Sequence, residues 1–149
     1  MKKFRFSLGT VLSYKEQVLE SLEAEHAAAM ADVIMQEEKL AAEEYEYAEY
    51  NREFCENKAA GMQLLDALIY ESRLRAMEAQ IEQTIERLEE LKKIEEEKRE
   101  LVVEAKKETS SLEKLRDKKL EQYQKEVQKS EEQLIEEFVS NARAISTGA

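Results

Sequence analysis

Proline and tryptophan are absent from this chain, and glycine appears only at Gly9, Gly61 and Gly148. Pro and Gly punctuate a chain most strongly, so almost nothing here can stop a helix. The lone Cys55 excludes an internal disulfide, and with only His26 beside it no Cys/His spacing suggests a metal site. Long apolar runs are missing as well, and none approaches the roughly 18 residues that span a bilayer. The opening Met1-Lys2-Lys3-Phe4-Arg5-Phe6 is basic, but Lys15 and Glu16 soon break the apolar stretch after it. It is therefore not expected to be a signal peptide, and the expectation is a cytoplasmic protein. Positive charge is also scarce: 23 Lys and Arg face 34 Asp and Glu, a net of −11. That balance argues against nucleic acid as the main partner, because affinity there rests on neutralising phosphates.

What is present is charge and helix-forming residues. Charged side chains make up 38% of the 149 residues, and Glu, Lys, Ala, Leu, Gln and Arg dominate. Such a composition signals a coiled coil or a disordered chain, and periodicity separates the two. From Leu12 a heptad ladder runs without a gap through Leu19, His26, Val33, Leu40, Tyr47 and Phe54. Its companion row, three residues on, holds Lys15, Leu22, Ala29, Gln36, Glu43 and Tyr50 and turns polar along its length. A narrow stripe of this kind is the seam of a coiled coil. It predicts one helix over about residues 8–57, on the order of 75 Å long.

Asn57-Lys58-Ala59-Ala60-Gly61 is the only credible break, since Gly and then Asn best adopt the left-handed conformation that ends a helix. Met62, Leu64, Leu65, Leu68 and Ile69 are too apolar for a simple loop. Residues 58–72 therefore read as a connector, either a short capping helix or an early start to the second long helix. Leu74, Met77, Ile81, Ile85, Leu88 and Leu91 then step by three and four. The charged run from Glu95 to Glu100 interrupts this stripe, which resumes at Leu101, Val102 and Ala105 and continues to Leu134 and Phe138. The gap from Leu112 to Leu120 breaks the strict seven and should relax the supercoil locally. Helix two is expected over about 73–145, roughly 110 Å, with a frayed tail at 146–149. Two helices joined by a short connection pack antiparallel. The reading is one all-α domain over 1–149, a long two-helix coiled coil whose second helix is longer. The surplus of helix two must project alone or find a partner.

Charge is distributed unevenly. Residues 1–20 carry four basic and two acidic side chains, whereas residues 21–60 carry three and eleven. In a hairpin the termini would form a near-neutral end and the middle an acidic one. No cofactor is expected, since three scattered glycines cannot build a phosphate-cradling loop. One His and one Cys cannot supply a catalytic triad, and a two-helix coil offers no dry pocket to perturb its many carboxylates. The chain reads as a binding protein that catalyses nothing itself. His26 is expected at the seam edge with its ring partly wet. Tyr45, Tyr47, Tyr50 and Tyr70 fall near the closed end, with Tyr47 in the core row and Tyr45 off it. Tyr suits interfaces because it joins an apolar body to a polar tip. Among the C-terminal basic residues, the simplest reading is a solvated face with i,i+4 pairs.

Three segments carry a family resemblance. Phe4-Arg5-Phe6, Leu8 and Val11-Leu12 resemble the N-terminal F-x-F-x-L-x-x-V/L-L signature of the flagellar FliJ family of type III export. Tyr70-Glu71-Ser72-Arg73-Leu74-Arg75-Ala76-Met77 is similar to the block that opens that family's second long helix. Leu112-Glu113-Lys114-Leu115-Arg116-Asp117-Lys118 is similar to its late L-E-K-L-R-D/E-K stretch. The resemblance spans essentially the whole chain. It implies an antiparallel coiled coil, similar to the central stalk of rotary ATPases, at the flagellar base on the inner membrane. Implied partners are the hexameric flagellar export ATPase, the cytoplasmic domain of the export-gate membrane protein, and export chaperones. Neither nucleic acid nor direct membrane insertion is implied. By position, gate contact would fall on Tyr50, Arg73, Met77, Gln80 and Thr84, although family members can carry an aromatic where Arg73 stands. ATPase contact would fall on the open end, at Phe4, Arg5, Phe6, Leu8, Arg116, Lys118 and Lys119. Two rivals stand beside this reading: the equivalent stalk of a virulence secretion system, and a homo-oligomeric coiled-coil spacer.

Overall fold

A computed structural model of the chain describes residues 2–148, so Met1 and the last tail residue, Ala149, lie outside the described residues. Helix α1 spans Gly9–Ala60 and helix α2 spans Leu64–Thr147. They pack against each other as an antiparallel αα-hairpin coiled coil, and the second helix is the longer, with 84 residues against 52. No strand occurs among the described residues.

The turn between them is only residues 61–63. Gly61 has a φ of 102°, where a side chain would be strained, and its amide donates to the Lys58 carbonyl at 3.4 Å. The connector is thus shorter than the 58–72 of the sequence reading. Lys58, Ala59 and Ala60 complete α1, because nothing in them opposes a helix. Residues 64–72 are already α2, with Asp66 in the first turn, where the helix dipole favours an acid. The apolar character that ruled out a loop is not burial: Leu64, Leu65, Leu68 and Ile69 are all exposed.

The chain divides into two compact units. One comprises Ser21–Val103. Its core holds Ala29, Phe54, Leu74, Leu88, Leu91 and Val102, and Thr84 is buried among them. The α1 ladder is buried or half-buried at every expected position in this unit, from Leu22 to Phe54. On α2 the ladder does not stop at the charged run. Leu88, Leu91, Glu95, Lys98 and Val102 keep the three–four step, and all five are buried or half-buried. Two polar contacts make this possible: Glu95 meets His26 Nε2 at 2.8 Å, and Lys98 Nζ meets Glu25 at 3.1 Å. Ile85 and Leu101, read from the sequence as part of the stripe, are exposed instead, because Thr84 and Val102 hold the seam positions beside them.

The other unit comprises Met1–Glu20 and Glu104–Ala149. Leu12, Ala105 and Thr109 are buried, and Lys15 Nζ pairs with Glu108 at 2.7 Å. Past Leu115 the seam steps five residues to Leu120, then continues through Tyr123 and Val127, all half-buried. This unit holds thirteen basic and twelve acidic side chains, whereas Ser21–Val103 holds ten and twenty-two.

Candidate functional site

The first surface lies where the N-terminal segment meets α2. Gly9 N donates to Phe6 O at 3.0 Å, a turn through Ser7 and Leu8 that starts α1 and leaves residues 2–6 outside the helix. The segment is held by Tyr123. Its ring lies 5.6 Å from that of Phe4, and its hydroxyl donates to the Lys2 carbonyl at 2.7 Å. Phe4, Arg5 and Phe6 line an open hollow with Lys119, Tyr123 and Glu126. The phenylalanines are half-buried, while Arg5 and Lys119 are exposed. Exposed cations beside aromatic rings, with Glu126 the one acid of the lining, make a surface suited to an acidic partner segment. Leu8 is 36% exposed and accepts the Leu12 amide through its carbonyl at 2.8 Å. Arg116 shares Tyr123's face of α2 but turns its guanidinium toward Asp117, at 3.7 Å. Lys118 stands about 140° round the helix from Tyr123, on another face. Four of the seven expected residues, Phe4, Arg5, Phe6 and Lys119, therefore come together in one hollow. Tyr123, which the family motifs did not single out, organises it. Its place in the α2 ladder was the available signal.

The second surface runs along Ser21–Val103. Arg73, Met77, Gln80 and Thr84 share a face because they stand four, three and four residues apart on α2. Tyr50 and Tyr70 rings lie 4.9 Å apart, Phe54 stacks on Tyr70 at 5.2 Å, and the Arg73 guanidinium sits over Tyr50 at 4.9 Å. Arg73 thus lays a planar cation over the Tyr50 ring, attracted to the ring face. Met77 is half-buried between this aromatic group and a polar one. There Thr84 Oγ1 donates to Glu43 at 2.7 Å, Gln80 Nε2 reaches the same carboxylate at 3.4 Å, and Gln36 Nε2 donates to the Thr84 carbonyl at 3.2 Å. Thr84 is 3% exposed, so it shapes this surface from beneath. Tyr47 is half-buried in the core row, and its hydroxyl donates to Glu78 at 2.6 Å, a bond that holds its proton above the ordinary phenol range. Tyr45 is 69% exposed beside the open groove that Tyr50, Arg73 and Met77 line. Glu43 and Gln36, polar members of the weak companion row, were missed as site-forming residues, since their role needs partners on the other helix.

Within Ser21–Val103, His26 has a side chain 19% exposed and is bonded to Glu95. The His26 hydrogen bond and then Arg99, whose guanidinium reaches Glu95 at 2.9 Å, hold that carboxyl below its ordinary value. Among the described residues no cluster of three or more His, Cys, Asp or Glu is placed to hold a metal ion. Nor is any helix among the described residues long and apolar enough to cross a membrane.

Neither the curated proteins nor the solved structures contain a match to this chain. The family model of the flagellar FliJ protein, however, matches residues 4–145, nearly the full length. A paired-helix coiled coil whose N-terminal aromatics, second-helix opening and late basic stretch all lie inside that match belongs to the flagellar FliJ family, components of flagellar type III export.

Proposed function

We propose that this protein binds the hexameric export ATPase as a central stalk through the Phe4–Tyr123 hollow, and engages the export gate through the Tyr50–Thr84 surface. The observation that carries this reading is the hollow itself, where Arg5 and Lys119 stand exposed around Phe4, Phe6 and Tyr123. A near-neutral unit presenting exposed cations can approach an acidic partner surface without the repulsion that the acidic unit would meet. Gate contact is carried by Tyr50, Arg73, Met77 and Gln80, with Thr84 fixing the backbone behind them. Supporting ATPase assembly and chaperone recycling are further parts of the proposed role, carried by the family membership. The protein itself contributes positioning and takes no cofactor.

The test is to titrate the protein into its cognate export ATPase while ATP hydrolysis and light scattering are followed together. Hydrolysis should rise and hexamers should form near one chain per ring. Phe4→Ala with Phe6→Ala should weaken that stimulation about tenfold, or about 1.4 kcal/mol, with helicity nearly intact. Equal stimulation by the double variant would remove the hollow from the interface. On the gate side, Arg73→Ala should weaken binding of the gate's cytoplasmic domain without changing ATPase stimulation.

A further inference from the structure

Within Ser21–Val103, helix α1 turns a nearly uncharged face toward solvent. In a two-helix coil, the residues one, two and five places after each core-row residue point away from the seam. After His26, Val33 and Leu40 those nine places hold Ile34, Met35, Tyr45, five alanines and one charged residue, Glu38. All nine are exposed. The matching nine places on α2, after Ile81, Leu88 and Glu95, hold eight charged side chains and Gln83, and they too are exposed. Water alone therefore does not set the character of the α1 face. Ile34 is 53% exposed, Met35 68% and Tyr45 69%, with Met30 at 44% beside them. Helix propensity accounts for the alanines but not for Ile34, which is a poorer helix former than Glu or Lys. The face runs about 27 Å along α1. Ile34 and Met35 stand at its middle with small side chains on either side, so a second helix can lie close and take them between its own ridges.

The rim of this face selects its occupant. Glu37 and Glu44 border it on one side, Asp32 and Glu46 on the other. Lys39, the one cation of the rim, lies 4.0 Å from Glu43. Asp32, Glu38, Glu44 and Glu46 have no basic partner among the described residues. A second copy on this face would set acid against acid, in a unit that holds ten basic and twenty-two acidic side chains. An anionic bilayer would be repelled in the same way, and helices that lie on membranes carry Lys and Arg around their apolar side. We propose that the outer face of α1 from Ala27 to Tyr45 docks an amphipathic helix of another protein, whose apolar stripe covers Ile34 and Met35 and whose flanks carry Lys and Arg. Because both borders are acidic, the charges match whichever way that helix runs. The surface is separate from the Tyr50–Thr84 surface, since Tyr50 belongs to the row that faces α2.

The probe is a synthetic helix of about 18 residues with leucines at three–four spacing and lysines on both flanks. Its fluorescence anisotropy is followed as the full chain is added at about 150 mM salt, where long-range attraction is screened. The unmodified protein should bind it, and Ile34→Ser with Met35→Ser should weaken binding about tenfold, because two apolar side chains leave the contact. Both residues are exposed, so circular dichroism of that variant should show the same melting transition. Asp32→Asn with Glu44→Gln, one change on each border, should weaken binding and reduce its dependence on salt. Glu89→Gln with Glu96→Gln removes as much charge from the back of α2 and should leave binding unchanged. No binding by the unmodified protein overturns the proposal, and so does equal weakening by the α1 and α2 variants, which would mean that bulk charge holds the peptide. Light scattering of the protein alone and its sedimentation with phosphatidylglycerol vesicles should show no association through this face. Dimers or vesicle binding that Ile34→Ser with Met35→Ser abolishes would give the face to a second copy or to lipid and overturn the proposal.

Discussion

His26 and Glu95 occupy places in the seam where Leu or Val would ordinarily stand, and each is acceptable only because the other is opposite. The carboxyl of Glu95 is held below its ordinary value by His26 first and by Arg99 second, so the folded chain binds its proton less readily than the unfolded chain does. A depressed carboxyl contributes stability above the unfolded pKa and loses it as pH falls through the folded one. The stability difference between the protein and its Glu95→Gln variant should therefore shrink as pH falls through the carboxylate range. Denaturant melts of both proteins between pH 3 and 7 check this, and a gap that widens in acid would contradict it. Thr109 presents the opposite case. It is 4% exposed, and its hydroxyl oxygen has no hydrogen-bond partner among the described residues. Replacing it by the isosteric Val removes an unpaired polar group and should raise stability by about 1 kcal/mol, seen as a higher urea midpoint with an unchanged slope.

At the scale of elements, each helix is stabilised by what it lays into the seam. Leu88 is 7% exposed. Leu88→Ala should cost about 2 kcal/mol, the low end for such truncations, because a two-helix seam can collapse partly around the loss. The turn rests on a single residue, Gly61, whose left-handed backbone leaves open space around it but strains any side chain. Gly61→Ala should destabilise the hairpin by about 1 kcal/mol, and Gly9→Ala should not, since Gly9 lies in α1 with nothing near it. Comparing the two by thermal melting isolates backbone strain from lost space. Much of this scale was legible beforehand. The heptad row from Leu12 to Phe54 already marked the buried face of α1, and Gly61 already marked its end. The path of α2 through Glu95 and Lys98 was not legible, because a count of apolar residues sees a gap where two cross-helix ion contacts keep the seam closed.

For the whole molecule, charge decides the behaviour. The unit Ser21–Val103 carries twelve more acidic than basic side chains, and the other unit one more basic than acidic. Most ion pairs are solvent-exposed and contribute little each, so repulsion among the surplus carboxylates outweighs them. Raising the salt from about 10 to about 150 mM, which shortens the screening length from about 30 to about 8 Å, should raise the melting temperature. A fall would mean that attractive pairs such as Lys15–Glu108 dominate instead. On the proposed function, the same salt change should weaken ATPase docking, which the cations at Arg5 and Lys119 would steer.

The order of residues by itself determined that this chain is a pair of helices with a narrow stripe and an acidic middle. Helix propensity and seven-residue spacing are local properties that need no knowledge of the other strand. It also carried the family membership, through short motifs kept at the right distances. Only the tertiary structure decided which polar residues the seam accepts, because His26 with Glu95 and Glu43 with Thr84 are separated by tens of residues and become partners only across the hairpin. It alone showed that Thr84 is buried and that Tyr123 holds the N-terminal segment. Which side of a helix a residue occupies follows from spacing, but what stands opposite that side is decided by the packing of the two helices.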